Sequence, residues 1–448
     1  MHDQPAIERY HRLLLDQPAL ARESADLLRD RQPDLHLTFG DRVMCTSLRP
    51  QLIGREEYGH IQRVCASLAL VGNRLEEVLL ARPDLLAVLD LDDQERRLVE
   101  IDPGFSHPAA ATRLDSFVTA TSWQFVEYNA ESPAGMGYVD LLSELFLELP
   151  IMREFERTTP INPLPTRASM LQALLRAYQE WGGTGKPTIA IVDWGGLPTA
   201  AEFEIFRRFF TEHGHRTLIV DPRDLEFRAG RLWAEGEAID IVYRRVLTHE
   251  LLARPDAAHA LIQAYEAHAV CVVNAFRCKL LHKKAIFAVL SDDANSGLFS
   301  VTEQEIIRRH VPWTRKVVDD HTAYNGHRVD LCNHILTNRE HLVLKPNDEY
   351  GGKGVVLGWE TSAAEWEAAL QIALSTSYVV QERVPTSQHT YPVWEDENLR
   401  MVDLIVDLDP YVFAGQVHGM LTRVSSSSLL NVTAGTASTI PTFIVDEG

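Results

Sequence analysis

A short stretch of the chain concentrates lysine and glycine residues in a way that suits phosphate binding. Lys345 closes an apolar run, and Gly351, Gly352, Lys353 and Gly354 follow soon after it. Glycines accept a positive φ and let the backbone approach a ligand, which leaves amide N–H groups free to point at an anion. The lysines supply positive charge. The pattern therefore predicts a cover over a phosphate group; an ordinary glycine turn in a hairpin is the alternative.

A second set of polar residues suits a divalent cation. Arg113 and Asp115 are two residues apart, as are Glu127 and Asn129, so each pair projects from one face of its strand. In a hairpin centred near Thr121, Asp115 lies opposite Glu127, and Arg113 lies opposite Asn129. Facing carboxylates destabilise a strand pair by up to roughly 1 kcal/mol unless a cation lies between them. Two carboxylates and an amide oxygen suit Mg²⁺; a solvated polar face of an edge hairpin is the alternative.

Hydrophobic patterns indicate the elements that must position the glycine loop. Residues 341–345 and 355–359 are apolar runs and predict strands on either side of it. Ser362 and Glu365 have capping-box spacing ahead of an amphipathic helix. Residues 378–384 then predict a further strand. The predicted order is therefore strand, glycine loop, strand, helix, strand.

This order, with a last strand that ends in VVQERV, resembles the nucleotide-binding half of an ATP-grasp enzyme. In that family the lysine that matches Lys345 contacts the phosphates of ATP, and the glycine loop closes over them. The resemblance also implies that Gln381, Glu382 and Val384 border the adenine. ATP is the cofactor that this half of the chain is expected to bind.

The hairpin narrows the resemblance to the circularly permuted ATP-grasp enzymes, the branch that includes glutathionylspermidine synthetase. In that type of site an arginine and an aspartate two apart, then a glutamate and an asparagine in a sequence like EYNAE, bind the γ-phosphate and the magnesium ions. The resemblance implies that Arg113 is catalytic and that Asp115, Glu127 and Asn129 bind Mg²⁺. In a conventional ATP-grasp chain the metal carboxylates follow the phosphate lysines, whereas here they precede them. The loop at 131–137 differs from that of the spermidine enzymes, so the substrate stays open.

Three lysines lie close together after an apolar strand, at Lys279, Lys283 and Lys284. One interpretation is a solvated helix face. The other, implied by the resemblance, is that Lys284 matches the first of the two lysines that bind ATP in the family. The resemblance also implies that Arg423 and Asn431 face the active site, although the glycine-, serine- and threonine-rich segment around them predicts a flexible tail by composition alone.

The two halves are separated by a predicted α/β domain. Residues 158–167 contain three prolines, which predict a linker without regular structure. A strand, a glycine turn, a helix capped by Thr199 and Glu202, and another strand follow, which is a Rossmann-like pattern. It lacks a full GxGxxG, which disfavours dinucleotide binding. Arg244 or Arg245 is a candidate for holding a substrate carboxylate; a salt-bridged strand end is the alternative.

These observations predict an α/β (α+β) protein with a circularly permuted ATP-grasp fold and an inserted Rossmann-like substrate domain. The chain of 448 residues, 45% hydrophobic and 24% charged, is long enough for several domains. The predicted parts are an N-terminal helical region at 1–100, the metal-binding part of the ATP-grasp core at 101–157, the substrate domain at 158–275, and the ATP-binding part at 276–448.

Composition excludes several classes of function. A formal net charge of -20 disfavours nucleic acid as a partner, because such affinity comes from clustered Lys and Arg. Five cysteines without a CxxC pair suggest neither a disulfide framework nor a zinc ribbon, which fits a reducing cytoplasm. No run of about twenty apolar residues predicts a membrane span, and the charged first residues do not predict an export signal.

The resemblance implies an ATP- and Mg²⁺-dependent ligase. Such an enzyme joins a carboxylate to an amine through an acyl phosphate and releases ADP and phosphate. The expected partners are small molecules: an amino acid, a peptide or a polyamine. Two alternatives remain open, a nucleotide-binding module without turnover and a phosphotransferase, because both would use the same phosphate and metal site. The oligomeric state stays open as well.

Overall fold

The computed structural model describes residues 3–39, 42–427 and 437–446. Asn431 lies outside them. The helices are α1 Gln4–Asp16, α2 Pro18–Asp34, α3 Arg55–Ala81, α4 Pro83–Leu86, α5 Asp93–Glu100, α6 Met136–Glu148, α7 Pro150–Glu156, α8 Thr166–Glu180, α9 Ala200–Glu212, α10 Thr248–Leu252, α11 Pro255–Glu266, α12 Lys279–His282, α13 Ile286–Leu290, α14 Val301–His310, α15 Leu331–Thr337 and α16 Ala363–Ser375.

The strands of the described residues belong to seven sheets, the largest of which contains β4, β5 and β20–β23. The strands are β1 Thr38–Phe39, β2 Arg42–Val43, β3 Gln51–Gly54, β4 Ala111–Val118, β5 Trp123–Asn129, β6 Ile161–Pro163, β7 Ile189–Val192, β8 Thr217–Val220, β9 Glu226–Arg228, β10 Arg231–Ala234, β11 Glu237–Ile239, β12 Ile241–Arg244, β13 Cys271–Val273, β14 Thr314–Lys316, β15 His321–Tyr324, β16 His327–Asp330, β17 Leu342–Pro346, β18 Val356–Leu357, β19 Tyr378–Glu382, β20 Gln388–Glu395, β21 Asn398–Phe413, β22 Gln416–Ser425, β23 Ala437–Ile440 and β24 Thr442–Val445.

The N-terminal region is helical, as its hydrophobic periodicity predicts. The long helix α3 buries Ile61, Val64, Leu68 and Leu75 along one face. That face packs against β21 and β22 of the largest sheet. The N-terminal helices therefore share one hydrophobic core with the strands that carry the predicted metal ligands.

The largest sheet is antiparallel and runs in the order β23–β22–β21–β4–β5, with β20 also paired to β21. The predicted hairpin is its β4–β5 pair, and β4 lies inside the sheet because β21 covers its other edge. The sequence pattern alone predicts a polar loop at 385–397 and strands at 400–407 and 411–417, and the structure differs from both predictions. β20 lies within 385–397, while β21 joins 400–407 to 411–413, and residues 416 and 417 begin β22.

The pairing of β21 with β4 is interrupted around Pro410. The backbone ladder pairs Asp407 with Phe117 and then resumes at Tyr411 with Arg113. In the gap, the N–H of Ser116 donates to a carboxylate oxygen of Asp409 at 3.0 Å. Pro410, which has no N–H to donate, lies in this gap on the β4 side, whereas on the other side it pairs with Met420 of β22.

The segment between the two halves contains a parallel sheet in the order β13–β12–β7–β8. The chain leaves β7 for β8 on one side, and β12 pairs with β7 on the other, so the C-terminal ends of β7 and β12 form a topological switch point. The expected linker is wrong in part: β6 pairs antiparallel with β24. Its proline is tolerated because β6 lies at the edge of the sheet β3–β24–β6.

The glycine loop belongs to a second antiparallel sheet, β14–β19–β17–β18. The predicted capping box of α16 is confirmed, since Ser362 and Glu365 each bond the other's backbone N–H. The strand predicted at 355–359 is shorter than expected, because a 3-10 turn at Gly358–Glu360 follows β18. Within the described part of the chain, every helix is too short or too polar to span a lipid bilayer.

Candidate active site

The β4–β5 hairpin has the predicted register. Asp115 pairs with Glu127 and Arg113 pairs with Asn129, and a β-bulge follows at Asp115/Ser116. Arg113 forms a bidentate contact with Asp115, at 2.6 and 3.0 Å. The Nδ2 of Asn129 donates to Asp115 at 2.9 Å. The four residues therefore form one cluster, with the carboxylate of Asp115 at its centre.

The facing carboxylates are compensated by different cations. The Nζ of Lys284 lies 3.1 Å from Glu127. Burial and the charge of Asp115 would raise the pKa of Glu127, but Lys284 and Lys345 together hold this pKa below its usual value. Burial also opposes ionisation of Asp115, yet Arg113 and Arg423 lower its pKa to about 2. Both carboxylates are ionised at neutral pH.

Arg423, on β22, joins the hairpin to two further carboxylates. Its guanidinium contacts Asp115, Asp407 and Asp409 at 2.9, 2.6 and 2.9 Å. Burial raises the pKa of Asp407 to about 6, although Arg423 lowers it. Sequence reasoning missed Asp407 and Asp409, although their spacing of two on one strand was an available signal.

The predicted phosphate lysines come from two different elements: Lys345 from β17, and Lys284 from the short segment between α12 and α13. The Nζ of Lys345 donates to Gln381 Oε1 at 2.7 Å and to the Val126 carbonyl at 3.1 Å. Burial lowers the pKa of Lys345 to about 8, although Glu127 opposes the shift. Lys284 donates to the carbonyl of Glu349 at 2.6 Å. Both ammonium groups are therefore next to the hairpin carboxylates.

The three loop glycines adopt the positive φ that the sequence predicts: 64° at Gly351, 75° at Gly352 and 72° at Gly354. A β-carbon on Gly354 would come within 2.7 Å of Pro346. The side chain of Lys353 is 75% exposed and pairs with Glu349. Its role in cofactor binding stays a prediction.

A cavity of about 620 Å³ brings most of the predicted site together. Its lining includes the hairpin cluster, both buried lysines, two loop glycines and the segment expected to border the adenine: Arg113, Asp115, Glu127, Asn129, Lys284, Lys345, Gly351, Gly352, Gln381, Glu382, Val384 and Arg423. Lys353 and Gly354 are not part of the lining. The volume is in the usual range for a small-molecule site.

The cluster of lysines is buried, so the solvated-face interpretation is wrong. Lys279, Lys283 and Lys284 are 0, 5 and 6% exposed, and the helix ends before Lys283. Lys279 bridges Glu131 and Asp348 at 2.9 and 2.5 Å. These contacts hold the start of the glycine loop against the end of the hairpin.

His282 is a further lining residue that the sequence prediction did not include. It lies with Glu131 and Asp348 in a group whose ligand atoms are within 4.8 Å of one another. The ammonium of Lys279 already bridges the two carboxylates, so this group suits a lysine better than a metal ion. Burial lowers the pKa of His282 to about 4.

The two candidate arginines of the α/β domain have different surroundings. Arg244 is fully buried against Glu131, which fits the salt-bridge alternative and not a substrate contact. Arg245 lines the cavity and pairs with Glu202 at 3.1 Å. Glu202 does not cap its helix as predicted. It instead accepts the backbone N–H groups of Gly135 and Gly137 at 2.8 and 3.1 Å.

Comparison with known proteins shows the family to which the chain belongs. Residues 95–425 match the family model described as circularly permuted ATP-grasp type 2, which confirms the resemblance inferred from the sequence. A protein of Frankia alni named "Putative glutamate--cysteine ligase 2-3" is 27% identical over 336 residues, covering 70% of this chain and 36% of that protein. The chain thus spans about a third of that relative's length.

Two further similarities concern an uncharacterized protein and a solved structure. The uncharacterized protein sll0335 of Synechocystis sp. is 26% identical over 331 residues, and the match covers 68% of this chain and 62% of sll0335. A glutathione synthetase like-effector from Globodera pallida, solved in its apoform, superposes with a TM-score of 0.60 at 14% identity. The superposition covers 96% of this chain and 97% of that one, and it confirms the fold.

Proposed function

Because the chain belongs to the circularly permuted ATP-grasp type 2 family, we propose that it is an ATP- and Mg²⁺-dependent ligase that joins a carboxylate to an amine. The carboxylate attacks the γ-phosphate of ATP, and an acyl phosphate and ADP form. The amine then displaces phosphate to give an amide. The expected substrates are small molecules such as an amino acid, a peptide or a polyamine.

The observation that carries this proposal is the single cavity shared by two distant parts of the chain. Asp115 and Glu127 reach it from the hairpin, whereas Lys284 and Lys345 reach it from the other half. A carboxylate cluster beside two buried ammonium groups suits phosphoryl transfer, because catalysis there is mostly positioning and charge stabilisation.

Lys345 is suited to bind a phosphate. Its ammonium is buried, its pKa is lowered to about 8, and its two hydrogen bonds go to neutral oxygens. An anion within contact distance would offset the unfavourable burial of this charge. Gln381 holds the lysine in place, since its Nε2 also donates to the hydroxyl of Thr314 at 3.0 Å.

The hairpin residues fit a magnesium ion. Glu127, Asn129 and Asp115 offer hard oxygen atoms on the cavity wall, and the side chain of Glu127 is 25% exposed there. When bound, Mg²⁺ would neutralise charge on the phosphates of ATP. Arg113 and Arg423 orient Asp115, and their guanidinium groups would stabilise the charge on the phosphoryl group during its transfer.

We also propose that the protein acts in a reducing cytoplasm. Each of its five cysteines is a free thiol, and four of them are buried. Such unpaired thiols are typical of proteins kept in reducing compartments.

A substrate screen tests the proposed reaction. The protein is incubated with Mg²⁺, ATP and pools of amino acids, short peptides and polyamines, and ADP release is measured with mass spectrometry of the products. A ligase yields an amide only when both a carboxylate and an amine are present. A phosphorylated product that forms without any amine would indicate the phosphotransferase instead, and nucleotide binding without ADP release from any pool would indicate the binding module.

A further inference from the structure

One end of the cavity is formed by the α/β domain. Asp193 directly follows β7, and Arg245 directly follows β12. These neighbouring parallel strands end at the switch point of the sheet, which is where open α/β sheets bind ligands. Both residues line the cavity. This end of the cavity is therefore placed to hold a part of a substrate.

The charges at this end do not balance. Asp193 and Glu250 line the cavity, and neither carboxylate forms an ion pair with a residue that the structure describes. Arg245 is the nearby cation, but its guanidinium is already paired with Glu202 at 3.1 Å and donates to the Pro133 carbonyl at 2.8 Å. Asp193 and Glu250 thus face the cavity without an ion pair of their own, and the one nearby guanidinium is shared with Glu202.

An unpartnered buried hydroxyl also lies on this wall. The Oη of Tyr138 has no hydrogen-bond partner among the described residues, although Tyr138 is only 3% exposed and lines the cavity. The Nε of Arg245 is also unpartnered, but it is a donor and does not contact a cationic ligand. Buried polar groups normally have partners, so the hydroxyl of Tyr138 points to a polar ligand.

We propose that Tyr138, Asp193 and Glu250 bind an ammonium group of a substrate, and that this group takes no part in the bond that is formed. An ammonium carries three N–H donors and no acceptor, which suits one hydroxyl and two carboxylates. The substrate is then an amine or amino acid with a second, non-reacting amino group. This inference rests on the proposed function only in assigning the nucleotide to the other end of the cavity.

The surroundings of the two carboxylates agree with this assignment. Burial raises the pKa of Asp193 to about 6, Arg245 lowers it, and the charge of Glu250 raises it further. A bound cation would offset both unfavourable effects. Glu250 also accepts a hydrogen bond from Tyr350 of the glycine loop at 3.4 Å, so the ammonium site touches the cover of the nucleotide site.

Matched ligands test the proposal. Binding of 1,5-diaminopentane is compared with hexylamine, and binding of L-lysine with 2-aminoheptanoate, by calorimetry on the full chain with Mg²⁺ and the ATP analogue AMP-PNP. In each pair a terminal ammonium is replaced by a methyl group of similar size. We expect the ammonium member of at least one pair to bind about tenfold more tightly, as for a hydrogen bond between charged groups.

Substitutions test whether Asp193 and Glu250 cause the preference for the ligand with the second ammonium group. Asp193→Asn and Glu250→Gln should each reduce it to less than about threefold, whereas Asp224→Asn, an exposed change of equal charge in the same domain, should leave it unchanged. Circular dichroism confirms that each variant is folded. The proposal is overturned if neither pair shows a preference, or if the preference survives both cavity substitutions.

The same titrations separate this inference from the proposed function. If AMP-PNP binds but the ammonium makes no difference, the ammonium site is wrong and the nucleotide site stands. If AMP-PNP does not bind, the proposed function is wrong, and the amine comparison repeated without nucleotide still decides the ammonium site.

Discussion

Asp115 and Glu127 face each other across the hairpin, yet each carboxylate contacts a different cation. Asp115 is held by Arg113 at 2.6 Å, and Glu127 by Lys284 at 3.1 Å. The arginine is local in sequence, whereas the lysine comes from the other half of the ATP-grasp core. The contact between Glu127 and Lys284 thus joins the proposed metal site to the proposed phosphate site.

Glu127→Gln tests the metal site. We expect ADP release to fall by at least about a hundredfold, because an amide oxygen is a poorer ligand for a hard cation than a carboxylate. Glu154→Gln, which alters an exposed carboxylate paired with Arg157, is the control and should keep full activity. Full Mg²⁺-dependent turnover in the Glu127 variant would remove this residue from the site.

The same variant should change how stability depends on pH. The folded-state pKa of Glu127 lies below its usual value, so the ionised carboxylate stabilises the fold at neutral pH. This contribution is lost as pH falls through the folded-state pKa. Urea unfolding should therefore show wild type more stable than the variant at pH 7, with the difference disappearing in acid. A difference that grows in acid would contradict the ion pair with Lys284.

Lys284→Ala and Lys353→Ala form a matched pair at the glycine loop. Lys284 is buried in the cavity wall, and Lys353 is exposed outside it. We expect the first change to weaken ATP binding by about tenfold to a hundredfold, the usual value of a charged hydrogen bond, and the second by less than about threefold. Calorimetry measures both. Equal losses would mean that the loop moves Lys353 onto the nucleotide.

Lys345 predicts a pH dependence of nucleotide binding. Its folded-state pKa is about 8, because burial disfavours the charged form. ATP affinity should decline as pH rises through about 8, where the lysine loses its proton. The stability of the nucleotide-free protein should increase over the range from about 8 to the ordinary lysine pKa, since the unfolded chain then binds more protons than the folded one. Lys345→Met should remove both effects.

Glu202→Gln tests the buried pair with Arg245. Removing one partner of a buried ion pair costs about 3 to 5 kcal/mol, because the other charge is left without compensation. Glu204→Gln, on the same helix but in a partly exposed pair with Arg207, should cost less than about 1 kcal/mol. Chemical denaturation compares the two. If Glu202→Gln lost as little stability as Glu204→Gln, Arg245 would have found another partner in the cavity.

The local part of the site could be predicted from the sequence. A spacing of two within a strand fixes which side chains share a face, so the register of Asp115 and Glu127 followed from the hairpin alone. The positive φ of Gly351 and Gly352 followed from the glycine-rich loop in the same way.

Partners that come from distant parts of the chain could not be predicted in this way. Glu202 has the spacing of a capping residue, and only the folded chain shows that Gly135 and Arg245 take its carboxylate. Asp409 accepts the N–H of Ser116 from a strand far away in the sequence, and nothing in the local pattern around Asp409 indicates this bond. Both contacts become visible only in the folded chain.

The pairing of β4 with β21 has a consequence for biosynthesis. Residue 118 ends β4 and residue 398 begins β21, so a ribosome needs on the order of tens of seconds to supply the second strand after the first. During that interval the nascent hairpin exposes the unpaired N–H and C=O groups of β4 along an edge that the finished sheet covers. Chaperones that shield strand edges would thus matter most before translation reaches β21.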